Sequence, residues 1–346
     1  MQSDGQDWKQ AGSPRAAFGL ARRAGRTELT RVGLAFRPCR SLIVEAIAPR
    51  LCVVGKEAES SAVMASLSTG DESFCGILRS FDVDLRIVGR KALVTGSSSG
   101  IGYAIAEALA REGAHVVLNG RSRKNLDAAL GKLKKAVDGA ACTSVVADAS
   151  TAKGAQRIIA AAPEVDILVN NLGKYERKGF FETTDSDWME FYEFNVLSGI
   201  RFVRAYGQGM RKRKWGRILF ISSESGLLTP VEMINYGITK TAQAALARGL
   251  AREFGGCGVT VNAVLPGPTR TEGISTMLAD ESKRTGKSVR KLEQEFFSVA
   301  RSTSIIQRLA EPQEVAAMVA YACSDLARAT TGATLRVEGG IVTGLG

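Results

Sequence analysis

The sequence predicts a doubly wound α/β domain over residues 85–346, in which one parallel sheet carries helices on both faces. From Arg86 onward, short β-branched or aliphatic runs alternate with segments whose apolar residues follow helical spacing. Seven apolar runs separated by helix-length segments favour a parallel sheet, because parallel strands need a crossover connection between them. In chain order, the strand candidates are KALVTG, HVVLNG, CTSVVAD, DILVNN, RILFIS, VTVNAVL and TLRVEG.

The helical segments between these runs include GYAIAEALAREG, KNLDAALGKLKKAV and the segment that contains Tyr236. Residues 272–304 are highly charged and show helical spacing in their second half. We expect this segment to form a mobile lid whose charges face water. The basic run 211–214 falls between a predicted helix and a strand, which favours a solvated loop.

Residues 1–84 differ from the rest, since they are rich in arginine and show little sustained periodicity. A poorly ordered extension, a transit peptide and sequence upstream of a true start at Met64 are the open interpretations. Transit peptides are poor in acids, and Asp4, Asp7 and Glu28 count against that interpretation. We expect a poorly ordered, nonfunctional extension.

Composition limits the classes of function. The chain of 346 residues is 45% apolar and 23% charged, as in ordinary soluble globular proteins. Its formal charge of +11 is not accompanied by basic stretches interleaved with aromatic residues, so we expect no nucleic-acid partner. The longest apolar stretch near the start, SLIVEAIAPRLCVV, is interrupted by Glu45, Pro49 and Arg50, so we expect no membrane span.

The cysteine and histidine pattern argues against a metal site. Six cysteines show no CxxC pairing, and His115 is the single histidine. The single histidine also argues against a Ser-His-Asp hydrolase, because His115 would have to be its base. Scattered cysteines fit a reducing compartment, and we expect a cytoplasmic protein.

A glycine-rich turn, TGSSSGIG, follows the first strand candidate and precedes an amphipathic helix. Glycine allows a tight turn and a close approach of backbone to phosphate, and the helix that follows presents free N–H groups at its positive end. This context is the one that a dinucleotide pyrophosphate site requires. The residues assigned to the site are Gly96, Ser98, Ser99, Gly100, Ile101 and Gly102.

The end of the second strand candidate indicates which dinucleotide binds. A fold that prefers NAD places an acid there to hold the ribose 2′-hydroxyl. This chain has Asn119 and Gly120 and then Arg121, with Arg123 and Lys124 close by. An arginine can hold a 2′-phosphate through paired donors. The expected cofactor is therefore NADP, with NAD less favoured.

Tyr236 and Lys240 lie four residues apart, so on a helix they share one face. An ammonium close to a phenol favours the phenolate, and we therefore expect a lowered pKa for Tyr236 and a usable acid/base group. An activated tyrosine and a dinucleotide in one domain indicate hydride transfer at a carbonyl or alcohol carbon.

In order along the chain, these motifs resemble those of the short-chain dehydrogenase/reductase family, in the subgroup that includes 3-ketoacyl-carrier-protein reductases. Ser223 precedes Tyr236 by 13 residues, as in the family. The likeness covers about residues 85–346 and rests on TGSSSGIG, Asp148, the NNLG segment, Asn195, Ser223, Tyr236 with Lys240, Pro266 with Gly267, and a terminal VEGG. It implies a Rossmann-type fold and an oxidoreductase that interconverts a ketone and a secondary alcohol.

The resemblance assigns a catalytic set of Asn195, Ser223, Tyr236 and Lys240. Tyr236 would exchange a proton with the substrate oxygen, Lys240 would lower the pKa of the tyrosine and bind the nicotinamide ribose, and Ser223 would donate to the developing alkoxide. Asn195 would hold a water that links Lys240 to bulk solvent. Ser222 would point to the opposite side if strand alternation persists.

The same matching implies further cofactor contacts beside Tyr236 and Lys240. They are Asp148, Asn170, Gly173, Pro266, Gly267 and Thr271. The first would accept from the adenine amino group, the next two would let the backbone pass close to the adenosine ribose, and the last three would cover the nicotinamide. The family commonly has alanine where Leu172 stands, and the larger side chain crowds that loop.

The substrate is expected to be a small carbonyl or alcohol compound bound by the loops 174–186, 224–235 and 272–304. These loops suggest a mostly apolar pocket with one possible acid, Glu224. A 3-ketoacyl carrier protein stays open as the substrate, although Cys257 stands where such reductases often have an arginine. A noncatalytic dinucleotide-binding regulator is the alternative from another class. The resemblance also implies a homodimer or homotetramer.

Overall fold

The computed structural model describes residues 83–344, so the expected extension, residues 1–84, lies outside the described residues apart from Val83 and Asp84. Seven parallel strands form one sheet in the order β3-β2-β1-β4-β5-β6-β7. The strands are β1 (Lys91–Val94), β2 (His115–Gly120), β3 (Cys142–Val146), β4 (Ile167–Asn170), β5 (Gly216–Ile221), β6 (Val259–Pro266) and β7 (Thr334–Val337). The predicted doubly wound parallel sheet is confirmed.

Helices connect the strands of the described region. They are α1 (Gly100–Arg111), α2 (Arg123–Ala136), α3 (Ala152–Ala161), α4 (Asp185–Tyr192), α5 (Ser198–Arg213), α6 (Ile234–Glu253), α7 (Glu272–Thr285), α8 (Val289–Val299) and α9 (Pro312–Cys323). A π-helical turn, Glu193–Leu197, joins α4 to α5. None of the helices in the described part of the chain has the length and apolar character needed to cross a membrane.

The strand order reverses where β1 lies beside β4, with Val94 opposite Val169. The chain winds outward from this point in both directions, which leaves a crevice at the carboxyl ends of the two strands. The glycine turn follows β1 and the NNLG segment begins at the end of β4, so both lie at the crevice.

Alternate residues along the strands supply two hydrophobic cores on opposite faces of the sheet. On β5, Leu219 and Ile221 pack in the core that includes α1 and α9, whereas Ile218 and Phe220 pack in the core that includes α3, α5 and α6. Because the strand interiors are apolar on both faces, polar groups that face the crevice come from the residues just after the strands.

Residues 272–304 are helical in both halves, whereas the sequence pattern predicted a helix only in the second half. The reason is packing that the pattern did not reveal: Leu278, Leu292 and Phe297 form a small separate core with Leu309. The expected mobility of this segment stays a prediction.

The basic run 211–214 closes α5 and does not form the expected loop. Arg211 Nη2 lies 2.8 Å from Glu253 Oε1, and Arg213 Nη2 lies 3.2 Å from Asp166 Oδ1. Cations in the last turn of a helix also interact favourably with its carbonyl end, which favours helix over loop.

Candidate active site

The crevice opens into a cavity of about 440 Å³ between the carboxyl ends of the central strands and the α7–α8 segment. Its apolar wall includes Ile274, Met277, Phe296 and Leu309. Its polar wall includes Ser223, Glu224, Tyr236, Lys240 and Arg301. The cavity therefore brings three of the four predicted catalytic residues together.

The glycine turn after β1 has a shape that fits a phosphate group. Gly96 and Gly100 have φ angles of 61° and 56°, in the left-handed region that favours glycine. A Cβ at Gly102 would lie 2.5 Å from both the Gly96 carbonyl oxygen and the Asn171 side-chain nitrogen. Ser99 is the N-cap residue of α1, but its side chain makes no capping hydrogen bond, and the first turn contains no acid. The free N–H groups and the positive end of this helix are thus available to a pyrophosphate.

The end of β2 lies directly against this turn, since a Cβ at Gly120 would be 3.3 Å from Ser98 Oγ. Asn119 is buried, and its Nδ2 donates to two backbone oxygens at the end of β3, each at 3.1 Å. Its Oδ1 accepts from the Gly96 N–H at 3.3 Å, so this asparagine supports the turn. Arg121 follows with an exposed side chain, as a contact with a 2′-phosphate would require.

Tyr236 and Lys240 lie on the face of α6 that lines the cavity. The Lys240 ammonium is 5.5 Å from the centroid of the Tyr236 ring. It donates to the Ile221 carbonyl oxygen at 2.9 Å and to Gln243 Oε1 at 3.1 Å. A Cβ at Gly173 would lie 3.3 Å from Nζ, so glycine leaves room beside the ammonium for a ligand hydroxyl.

The expectation of a lowered pKa for Tyr236 is wrong. Burial raises the pKa of Tyr236 well above its ordinary value, and the hydrogen bond with Ser223 and the charge of Arg301 oppose this only in part. Burial also lowers the pKa of Lys240 from 10.5 to about 7. Desolvation of the buried phenol is the largest influence on its pKa, and burial disfavours the charged form of the neighbouring lysine as well. The protonated form of Tyr236, which a proton donor needs, is therefore favoured near neutral pH.

Asn195 lies in the π-helical turn, and both its side chain and its backbone carbonyl form hydrogen bonds within the protein. Its Oδ1 accepts from the Lys174 N–H at 2.8 Å, and its Nδ2 donates to the Lys174 carbonyl at 3.1 Å and to Thr239 Oγ1 at 2.9 Å. Its carbonyl oxygen accepts from Gln243 Nε2 at 2.6 Å. The amide of Gln243 therefore connects Asn195 to Lys240, where the resemblance implies a water. The expected role of Asn195 in holding a water stays a prediction.

Ser222 and Ser223 point to opposite sides at the end of β5. Ser222 Oγ donates to the Lys240 carbonyl oxygen at 2.7 Å and so ties α6 to the sheet. Ser223 lines the cavity, and its Oγ donates to Glu224 Oε2 at 2.5 Å. The Glu224 residue is only 4% exposed, and its Oε1 accepts from Arg301 Nε at 3.2 Å. A buried ion pair therefore adjoins the predicted alkoxide donor.

Comparisons with known proteins indicate the family. A family model described as enoyl-(acyl carrier protein) reductase matches residues 96–342. The uncharacterized oxidoreductase YvaG of Bacillus subtilis is 43% identical over 258 residues, which cover 75% of this chain and 98% of YvaG. The 3-oxoacyl-[acyl-carrier-protein] reductase FabG of Aquifex aeolicus is 32% identical over 262 residues, 75% of this chain and 100% of that protein.

The chain belongs to the short-chain dehydrogenase/reductase family. Among solved structures, L-sorbose reductase from Gluconobacter frateurii, complexed with NADPH and L-sorbose, is 32% identical with a TM-score of 0.72, covering 76% of this chain and 100% of that chain. The protein is thus an enzyme, an oxidoreductase acting on CH–OH groups, and the family recognised from the motifs is confirmed.

In this short-chain dehydrogenase/reductase, one predicted cofactor residue follows β3 and another is the last residue of β4. Asp148 follows β3, and its Oδ1 accepts from the backbone N–H and the hydroxyl of Ser150 at 3.0 and 2.6 Å. Asn170 ends β4 with a buried side chain whose Nδ2 donates to the Leu219 carbonyl at 3.3 Å. Any contact of Asn170 with a dinucleotide would thus come from its backbone, as expected, and both roles stay predictions.

The last three predicted cofactor residues lie after or at the end of β6 and line the cavity. A Cβ at Gly267, which follows Pro266, would lie 2.8 Å from the backbone of Glu338, so only glycine fits there. Thr271 caps α7, and its methyl carbon would lie 3.3 Å from a Cβ at Gly100. The start of α7 therefore meets the glycine turn across the crevice.

Two site residues, Gln243 and Arg301, were not found by sequence reasoning. Gln243 follows Lys240 by three residues and so shares its helix face, which is a signal that could have found it. Arg301 is 77 residues from its partner Glu224, and no local pattern indicates that contact.

Proposed function

We propose that this short-chain dehydrogenase/reductase reduces a ketone to a secondary alcohol with NADPH, and that Tyr236 donates the proton. The observation that carries the proposal is the joint placement of Tyr236, Lys240 and Ser223 on one cavity, beside a glycine turn with an uncapped helix. NADPH supplies the hydride that reduces the carbonyl carbon when it is bound in this crevice.

Arg121 supports NADP over NAD. It is exposed at the end of β2, beside the glycine turn, and no acid stands at this strand end to hold a 2′-hydroxyl. The related L-sorbose reductase was solved with NADPH. Within the crevice, the α1 N-terminus would hold the pyrophosphate, and Lys240 would hold the nicotinamide ribose.

The proton chemistry follows from the environment of the phenol. Because burial keeps Tyr236 protonated, its hydroxyl is ready to donate to the carbonyl oxygen as negative charge develops there. Ser223 lies in the same cavity as a second hydroxyl, and Lys240 stabilises the tyrosinate that the transfer leaves when its side chain is protonated.

The carrier-protein alternative has weaker support. An acidic carrier protein would need free cations on the surface, whereas Arg213 is bound to Asp166 and, at 2.9 Å, to the Val165 carbonyl. Cys257 is half-buried, with its thiol directed to the Phe254 carbonyl. Small ketones are therefore the favoured substrates.

We propose that the protein is a homodimer or homotetramer and that it is located in the cytoplasm. Ile238 on α6 is 50% exposed, which supports burial of this helix in a homodimer or homotetramer. Cys142, Cys257 and Cys323 have free thiols in the described part of the chain, which supports a reducing, cytoplasmic setting. Light scattering on the purified chain would test the assembly, and a monomer would contradict it.

Tyr236→Phe tests the mechanism because it removes only the hydroxyl. We expect kcat with NADPH and a ketone to fall by about 100-fold or more, with NADPH binding nearly unchanged. Tyr206→Phe is the matched control, since it removes a buried hydroxyl on α5 that does not line the cavity. A Tyr236→Phe enzyme that kept most of its activity would refute the proposed proton donor.

A further inference from the structure

We propose that the cavity selects ketones that carry a hydroxyl on the carbon next to the carbonyl, and that this hydroxyl replaces Ser223 on the Glu224 carboxylate. The inference rests on the proposed reductase function and names its substrate class. It follows from a conflict between the hydrogen bond that Ser223 makes and the hydrogen bond that its catalytic role requires.

A serine hydroxyl has one proton to donate. Ser223 Oγ donates that proton to Glu224 Oε2 and accepts from the Ser225 N–H at 3.2 Å. While this arrangement holds, Ser223 cannot also donate to a substrate carbonyl oxygen. Stabilisation of the developing alkoxide by Ser223 therefore requires another donor for the carboxylate.

The Glu224 carboxylate is held in place and does not move away from Ser223. Glu224 is buried, and Arg301, whose side chain is 13% exposed, holds its second oxygen. Removing one partner of a buried ion pair is costly because the other charge stays buried. Oε2 of Glu224 thus stays at the cavity wall. A donor that replaces Ser223 on this oxygen therefore has to enter the cavity.

The adjacent hydroxyl of an α-hydroxyketone is in the right place to be this donor. The carbonyl oxygen and the hydroxyl oxygen of an α-hydroxyketone are on neighbouring carbons. When the carbonyl oxygen lies at the hydroxyls of Tyr236 and Ser223, the hydroxyl oxygen is therefore within reach of Glu224, the residue after Ser223. Donation to Oε2 frees the Ser223 proton for the carbonyl oxygen. A plain ketone leaves Ser223 bound to the carboxylate and reacts with Tyr236 as its only hydroxyl donor.

Charge balance favours a neutral substrate of this class. Arg301 offsets the charge of Glu224, and Glu293, which also lines the cavity, pairs with Arg270 at 3.0 Å. These two pairs therefore offer donors and acceptors for hydroxyl groups while their charges offset each other. Apolar residues on the opposite wall leave space for a carbon chain.

The reaction balances without a further reactant. The carbonyl carbon gains a hydride from NADPH, the carbonyl oxygen gains the Tyr236 proton, and solvent returns a proton to the tyrosinate. The ketone is reduced to a vicinal diol, and NADPH is oxidised to NADP⁺. The adjacent hydroxyl changes its hydrogen-bond partner and is not consumed.

The first test uses the full-length wild-type enzyme with NADPH and matched pairs of alkan-2-ones and 1-hydroxyalkan-2-ones of four to eight carbons. We expect kcat to be about 100-fold higher for the hydroxylated member of a pair, the effect of one oxyanion donor. Equal or higher kcat for the plain ketones would overturn the inference and leave the reductase function standing. Turnover of neither class, by protein that binds NADPH, would contradict both.

The second test removes the acceptor and its cation together in the double variant Glu224→Ala/Arg301→Met, so that no buried charge is left alone. Ser223 then has no competing acceptor, and the kcat ratio within a pair should fall at least about tenfold. Should this variant fail to bind NADPH, the shape-conserving Glu224→Gln, with a weaker neutral acceptor, should show a smaller fall in the same ratio.

Glu176→Ala is the matched control, because Glu176 lines the same cavity but is exposed. It removes the same charge without touching Ser223, and the ratio should be unchanged. An equal fall in the ratio for Glu176→Ala and Glu224→Gln would assign the selectivity to charge and overturn the exchange at Ser223.

Discussion

The Lys240 ammonium donates to the side-chain oxygen of Gln243 at 3.1 Å, and the nitrogen of the same amide donates to the Asn195 carbonyl at 2.6 Å. Gln243 thus spans the space between the ammonium and the π-helical turn. An amide accepts at one atom and donates at another, so it does not pass a proton along as a water does. Gln243 is a positioning residue: it holds the Lys240 ammonium at the cavity and connects it to the carbonyl of Asn195.

Gln243→Glu should raise the pKa of Lys240, because a carboxylate beside the ammonium favours its charged form. If turnover needs the charged ammonium, wild-type kcat/KM should fall as pH rises through about 7. The variant should keep its activity to a pH about one unit higher. Gln208→Glu, on the exposed face of α5, adds the same charge elsewhere and should leave the pH profile unchanged. Identical profiles for all three proteins would show that Gln243 does not act on Lys240.

The buried lysine should also make stability depend on pH. The folded protein holds the Lys240 proton with a pKa of about 7, whereas the ordinary value is 10.5. Between these values the unfolded chain binds more protons, so the lysine makes the free energy of unfolding rise with pH by at most about 1.4 kcal/mol per unit. Below pH 7, Lys240 is protonated in both the folded and the unfolded chain, and the cost of burying its charge is fully present.

Lys240→Met removes this titration, so the difference in stability between wild type and variant should change with pH. Urea unfolding at pH 6, 8 and 9 should show wild type gaining stability relative to the variant as pH rises. The comparison across pH isolates the titration of Lys240, because any pH-independent effect of its removal is the same at pH 6, 8 and 9. A difference that stayed constant from pH 6 to 9 would be inconsistent with a depressed pKa.

Local patterns predicted the strands, the glycine turn and the shared helix face of Tyr236 and Lys240, because each depends on residues close in sequence. Ser223 was assigned through the family resemblance. Contacts between distant segments were out of reach of such patterns. The Gln243 amide meets the Asn195 carbonyl across 48 residues, and Arg301 reaches Glu224 across 77. The pKa of Tyr236 was predicted in the wrong direction for the same reason, since burial depends on the whole fold.

Gly102→Ala should abolish dinucleotide binding. The added methyl group would lie 2.5 Å from the Gly96 carbonyl oxygen, which accepts a hydrogen bond from Asn171 Nδ2 at 3.1 Å. Overpacking of this kind costs about 1–3 kcal/mol and would displace the N–H groups that face the phosphate. Titration with NADPH, followed by its fluorescence, would measure the loss.

The control for that change is Gly131→Ala in α2, where a Cβ meets nothing within 4 Å. Alanine inside a helix is favoured over glycine by about 0.5–1 kcal/mol, so this variant should be slightly stabilised and should bind NADPH normally. Normal NADPH binding by Gly102→Ala would place the pyrophosphate elsewhere.

Cofactor choice depends on Arg121, the exposed residue that follows β2 beside the glycine turn. A charge-assisted hydrogen bond to a 2′-phosphate contributes about 1.5–3 kcal/mol, so Arg121→Asp should weaken NADPH binding by at least about tenfold. NADH binding should change little or improve, because the new acid can accept from the 2′-hydroxyl. Arg123→Asp makes the same charge change two residues later, where the native arginine lies 3.9 Å from Asp127, and should affect NADPH far less. Equal losses of NADPH and NADH binding in Arg121→Asp would mean that this arginine does not read the 2′-position.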